Sequence, residues 1–120
     1  MAAAFPCLES QFWASETYAA AGDPARAAHH ADIFFRLYKG AMAAGDGSSM
    51  DRAITVLSVG EEYLILSAVR RLDVEGQHLE EAGGHSYDCM DVRDPETGAA
   101  TQVYFNIDSL LAVLHRKEMT

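Results

Sequence analysis

The run from Gly84 to Asp108, GHSYDCMDVRDPETGAATQVYFNID, leaves a chain few options, because two alternating stretches flank the turn sequence Asp94 to Gly98. Pro95 presets φ for the first central turn position, and Gly98 supplies a left-handed loop end. The pattern predicts a β-hairpin with a four-residue loop, Pro95 to Gly98, which pairs Arg93 with Ala100, Asp91 with Gln102, Cys89 with Tyr104 and Tyr87 with Asn106. Side chains alternate across a strand, so this register divides the hairpin into two faces. One carries Met90, Val92, Val103, Phe105 and Ile107 and reads as a core face, with Ser86 and Asp88 towards its open end. The other carries His85, Tyr87, Cys89, Gln102, Tyr104 and Asn106, a polar and aromatic set.

Upstream of the hairpin the chain reads mainly as helix. Leu8, Phe12, Trp13, Tyr18 and Ala21 suit one face of a short helix that Gly22 ends, and Asp23 followed by Pro24 is an N-cap and first-turn pair that starts a second. In that second helix Ala27, Ala31, Phe34, Tyr38, Ala41 and Met42 form the inward stripe, with Arg26, His30, Arg36 and Lys39 on the other side. Of the neighbours His29 and His30, which diverge on a helix, one is expected inward near Phe34 and the other in solvent. The stretch Tyr18 to Phe35 is similar to the turn and second helix of a tetratricopeptide unit, but it occurs once, and a solenoid needs stacked copies. A helical hairpin over residues 8–43 is therefore expected, without a repeat array.

Ala43 to Asp51, AAGDGSSMD, breaks the helical period and reads as a loop. It lacks the lysine and spacing of a phosphate-binding loop and the late glutamate of a calcium loop. Ala53 to Leu57 suits a short strand buried on both faces, and Ser58 with Glu61 forms a capping box that opens a helix running to about Arg71. Leu64, Ile65, Ala68, Val69 and Leu72 make its stripe, while Glu61 and Glu62 read as first-turn glutamates. A short edge strand is expected at about Gln77 to Glu81, then a turn at Gly83 and Gly84. Asp108 caps a last helix from Ser109 to about Lys117, with Leu110, Leu111 and Leu114 inward and His115, Arg116 and Lys117 at its C-terminal end. The whole predicts one α+β domain over 1–120: a helical hairpin, a strand-helix unit, a small mainly antiparallel sheet with the DPETG hairpin, and a C-terminal helix.

Charge narrows the function. Eighteen acidic against nine basic residues give a net charge of -9, a field that repels phosphate backbones and anionic membranes. Nucleic-acid and membrane binding are thus not expected, and no leader or spanning segment is read, which points to the cytoplasm. Cys7 and Cys89 stand far apart, so neither a disulfide framework nor a CxxC motif is expected and both thiols read as reduced.

The catalytic and metal readings are weak. Glu61 and Glu62 point about 100° apart on a helix and do not make a working pair. Cys89 and His85 share a strand face but lie about 13 Å apart, too far for proton transfer, so a base such as His78 on the next strand would be needed. A metal set drawn from His78, His85, Asp88 and His29 or His30 shows no tight ligand spacing. No catalytic residue, metal or cofactor is assigned.

The words GDGSS, AITVLSVGEEYLIL, GHSYDCMDVRDPETG and VYFNID together resemble an uncharacterised bacterial domain-of-unknown-function family, over roughly Tyr18 to Asp108. The matching positions are Gly45, Asp46, Gly47, Glu61, Glu62, Tyr63, His85, Ser86, Tyr87, Asp88, Tyr104, Phe105, Asn106 and Asp108. The resemblance implies the same α+β fold and brings no reaction with it. Many members of that family carry an export leader and a longer N-terminal region.

Two function classes follow. The first is a non-enzymatic interaction module, an immunity-type inhibitor or adaptor, that binds another protein of basic surface, with His85, Tyr87, Asp88, Tyr104, Asn106 and Glu62 as the candidate binding residues; a homodimer through the same face is its variant. The second is a small hydrolase or ligand-binding domain built on His85, Asp88, Tyr104 and Asn106.

Overall fold

The protein is described from a computed structural model covering residues 8–119, with side chains as far as Leu114; Cys7 and the side chains of His115, Arg116 and Lys117 lie outside the described residues. Two compact units are present, Met1–Ala41 and Met42–Thr120. In the first, helix α1 (Leu8–Ala20) turns at Gly22, φ +78°, into α2 (Pro24–Ala44), which continues into the second unit. Asp23 caps α2 as expected, its carboxylate accepting the Arg26 amide at 3.1 Å. Phe12 packs on Phe34, while His30 Nδ1 donates to Gln11 Oε1 at 2.7 Å and its ring stacks on Tyr18. His29 is exposed and His30 half-buried, so the pair diverges as expected, but His30 does not share the outer side with Arg26, Arg36 and Lys39 because it packs against α1. Trp13 does not join the buried stripe and is 57% exposed.

The second unit is built on a four-stranded sheet in the order β1-β4-β3-β2, from β1 (Ile54–Thr55), β2 (Asp73–Ala82), β3 (His85–Arg93) and β4 (Ala100–Asn106). β1 runs parallel to β4 and the other neighbours are antiparallel. The hairpin has the expected register, Arg93 opposite Ala100 through to Tyr87 opposite Asn106. Its loop is closed by the Asp94 amide on Ala99 O and the Gly98 amide on Asp94 O, with Gly98 at φ +75°. Gly83 and Gly84 both have positive φ, as a tight two-residue turn between β2 and β3 requires.

The core face carries Met90, Val92, Val103 and Phe105, buried with Ile54, Val56, Ile107 and Leu110. Onto it packs α3 (Val59–Tyr63), opened by the expected capping box: Ser58 Oγ accepts the Glu61 amide and Glu61 Oε1 accepts the Leu57 amide. The helix does not run regularly to Arg71. From Leu64 to Val69 it widens into a π-helix, in which the Arg70 amide bonds to Ile65 O, and it stops at Arg71 in the left-handed region, φ +55°. The wider turn buries three consecutive residues, Leu64, Ile65 and Leu66, where an α-helical stripe would alternate.

Three further expectations change. β1 is shorter than Ala53 to Leu57 and alternates, with Ile54 and Val56 buried and Thr55 and Leu57 exposed, as in a strand with one face on the core and the other in solvent. β2 is ten residues long rather than five, and a bulge between Val74 and Gly76 reverses its alternation: Val74 lies opposite Val92 on the core side, whereas Gly76 lies opposite Asp91 on the other. Of the three leucines of α4 (Asp108–Met119), Leu110 is buried while Leu111 and Leu114 are 40% and 46% exposed. Asp108 is not its cap; Asn106 Oδ1 takes the Asp108 amide at 2.9 Å. No described helix is long and apolar enough to cross a membrane.

The Gly45 to Ser49 loop is more than a connection. Gly47 O accepts the Tyr104 amide, Arg70 donates to Asp46 O, and Asp46, held down to about 2 by the Ser48 hydroxyl and amide with help from Arg52, closes the turn. A Cβ on Gly45 would sit 2.4 Å from Ala53 O, whereas one on Gly40, inside α2, would meet nothing. Gly45→Ala should therefore lose about 1–3 kcal/mol in chemical denaturation while Gly40→Ala gains about 0.5–1 kcal/mol; equal effects would contradict this packing.

Candidate functional site

The face of the sheet opposite the core is formed by Gly76, His78 and Glu80 of β2, His85, Tyr87, Cys89 and Asp91 of β3, and Gln102, Tyr104 and Asn106 of β4. Four of the six candidate residues, His85, Tyr87, Tyr104 and Asn106, stand on it. Asp88 and Glu62 do not: Asp88 points to the core side of β3, opposite Leu79 and Phe105, and Glu62 lies on α3. The four residues of the hydrolase reading are thus divided by the sheet itself.

On the open face each side chain has a local tie. His85 Nδ1 and Asp108 Oδ2 are 2.6 Å apart, and Asp108 Oδ1 accepts the Ser86 amide at 2.8 Å. The Ser86 amide first, and then His85, hold the Asp108 carboxyl below its ordinary range. Tyr87 meets the His85 ring edge-on at 6.4 Å, and Asn106 is occupied in capping α4. Tyr104 donates to Gln102 Oε1 at 3.2 Å, and Gln102 Nε2 donates to Asp91 Oδ1 at 2.9 Å.

Cys89 is fully buried although it belongs to this face, because it is small and its cross-strand neighbours, His78 on one side and Tyr104 on the other, are large. Burial pushes its thiol up; the Tyr104 hydroxyl opposes that, and Glu80 and Asp91 add to it. A thiol held protonated is a poor nucleophile, and His85 is turned to Asp108 rather than to it. The His78–Cys89 pairing follows from the two-residue turn at Gly83 and Gly84, counted back from Ala82 opposite His85, and lies on the turn side of the β2 bulge.

Beneath the sheet lies an unusual carboxyl pair. Glu62 is fully buried and Asp88 nearly so, and no hydrogen-bond donor among the described residues reaches either Glu62 oxygen. Asp88 Oδ2 takes Gln77 Nε2 at 3.2 Å, and Gln77 Oε1 in turn faces the Tyr63 hydroxyl at 3.4 Å. Burial above all, with the hydrogen bond to Asp88 and its charge, pushes Glu62 up to about 9. Glu62 is therefore not a dipole-stabilised surface glutamate but a buried acid whose neutral form is favoured beside Asp88. With no exposed surface it cannot act on an outside substrate.

The pH consequence has a definite sign. The folded chain keeps a proton on Glu62 that the unfolded chain loses at the ordinary 4.5, so this contribution to stability is complete below that value and is lost as pH rises towards about 9. Glu62→Gln presents an amide donor to Asp88 and does not titrate. In urea denaturation across this window, the variant should show a flatter pH dependence than the parent and exceed it at the alkaline end by about 1–3 kcal/mol; parallel curves would refute the neutral Glu62.

Compared with protein-family models, curated protein sequences and solved structures, the chain matches none.

Proposed function

We propose that this protein is a non-enzymatic interaction module that binds a basic, extended segment of a partner protein along β2 and the adjoining open face. The observation that carries the reading is the outer edge of β2: a ten-residue strand at the end of the sheet, mostly exposed, with no strand beside it among the described residues. Such an edge presents unpaired backbone donors and acceptors that an added strand satisfies. Leu79, 59% exposed, would give the incoming strand an apolar contact.

Charge selects the occupant. β2 carries Asp73, Glu75, Glu80 and Glu81 and neither lysine nor arginine, within a chain of net charge -9. Antiparallel pairing of two copies along this edge would set carboxylates against carboxylates, whereas a lysine- or arginine-bearing segment is attracted. On the open face, Tyr87 and His85 of the next strand, with Tyr104 one strand further in, offer stiff aromatic area for the residues that follow. The hydrolase alternative has less support, since its Asp88 lies on the far side of the sheet from His85, Tyr104 and Asn106.

Purification from the native host at low salt should bring down a stoichiometric basic protein that is released as salt rises. The complex should show slowed amide exchange centred on β2, and Glu80→Lys with Glu81→Lys should abolish it while leaving the fold intact. A chain that remains alone at low salt, or a partner indifferent to both substitutions, would overturn the proposal.

A further inference from the structure

We infer that His78, Cys89 and Asp91 form a three-ligand site for a divalent cation of the zinc class. One ligand atom from each residue lies within 4.8 Å of the other two. Imidazole, thiolate and carboxylate together suit Zn2+ or Co2+ and not the all-oxygen preference of Ca2+ or Mg2+. Three protein ligands leave a fourth tetrahedral position open to solvent.

The arrangement is rigid where a site needs to be. His78 and Cys89 are direct cross-strand partners, and Asp91 is the next residue of β3 on the same face. Opposite Asp91 stands Gly76, and a Cβ there would lie 2.9 Å from Asp91 Oδ2. The missing side chain is the space into which that oxygen leans. Asp91 Oδ1 is meanwhile held by Gln102 Nε2, and Gln102 by the Tyr104 hydroxyl, an outer layer of the sort that orients metal-binding carboxylates. Glu80 Oε1, 3.7 Å from His78 Nε2, adds negative potential beside the imidazole.

Binding needs one covalent change: the Cys89 S–H bond breaks, the sulfur electron pair goes to the cation, and the proton leaves to solvent. Neither oxidant nor further reactant is involved. Because the ligand atoms are up to 4.8 Å apart, a tetrahedral ion with bonds of about 2.0–2.3 Å would draw them together by rotation of the exposed His78 side chain.

Titration of the reduced full chain with Co2+ tests the site. One equivalent should give tetrahedral d–d absorption together with a thiolate-to-cobalt charge-transfer band, and Zn2+ should displace both. Cys89→Ser should remove the charge-transfer band. His78→Ala, at an exposed position that should not disturb folding, and Asp91→Asn should each weaken binding about 100-fold. Gly76→Ala should weaken it by crowding Asp91, and His29→Ala, at an exposed position in the first unit, should leave it unchanged. Absence of the charge-transfer band, or equal affinity in His78→Ala, would overturn the assignment.

Discussion

The pairing register of β3 is the constraint on which the second unit depends. β3 lies between β2 and β4, so from Tyr87 to Arg93 its residues are held between two strands. Met90 and Val92 meet the core only because Cys89 and Asp91 do not, and a slip of one residue would exchange the two sets. The loop at Pro95 to Gly98 sets the phase on one side, and the glycine pair at 83 and 84 sets it on the other. Alternation within β3 agrees with both, so local preference and tertiary burial favour the same pairing.

That register has an electrostatic result. It places acidic groups on both sides of the same layer: Glu62 and Asp88 against the core, Glu80 and Asp91 on the open face. Below the sheet, water is excluded and the negative charge is removed by retaining a proton. Above it, solvent and hydrogen bonds from Gln102 carry the charge. Similar carboxyls have different chemistry because one strand separates them.

Much of this was legible in the chain. The capping box at Ser58 and Glu61, the start of α2 at Asp23 and Pro24, and the hairpin register each rest on local chemistry that tertiary packing did not override. The α+β architecture follows from those elements in order. What was not legible depends on one extra residue here and there. A bulge at Glu75 makes Val74 and His78, which share parity in the sequence, face opposite sides, so the alternation of β2 reads as irregular along its length. Burial of Glu62 has the same character: its place beside Glu61 in a first helical turn suggests solvent, and only the tertiary fold puts it beneath the sheet next to Asp88.

The π-helical segment Leu64–Val69 has a bearing on how the chain tolerates change in length. Each of its turns closes over one more residue than an α-helical turn does. Deleting one residue there could be absorbed locally by an ordinary helix, releasing Arg71 from its left-handed conformation. The strand that follows would then keep its place in the sheet, since the residue is removed before β2 begins. The bulge between Val74 and Gly76 takes up one extra residue in a similar way, within the strand itself. Two places close together in the chain thus each hold one residue more than a regular helix or strand needs, and each can give that residue up without moving the hairpin register, which its own turns set.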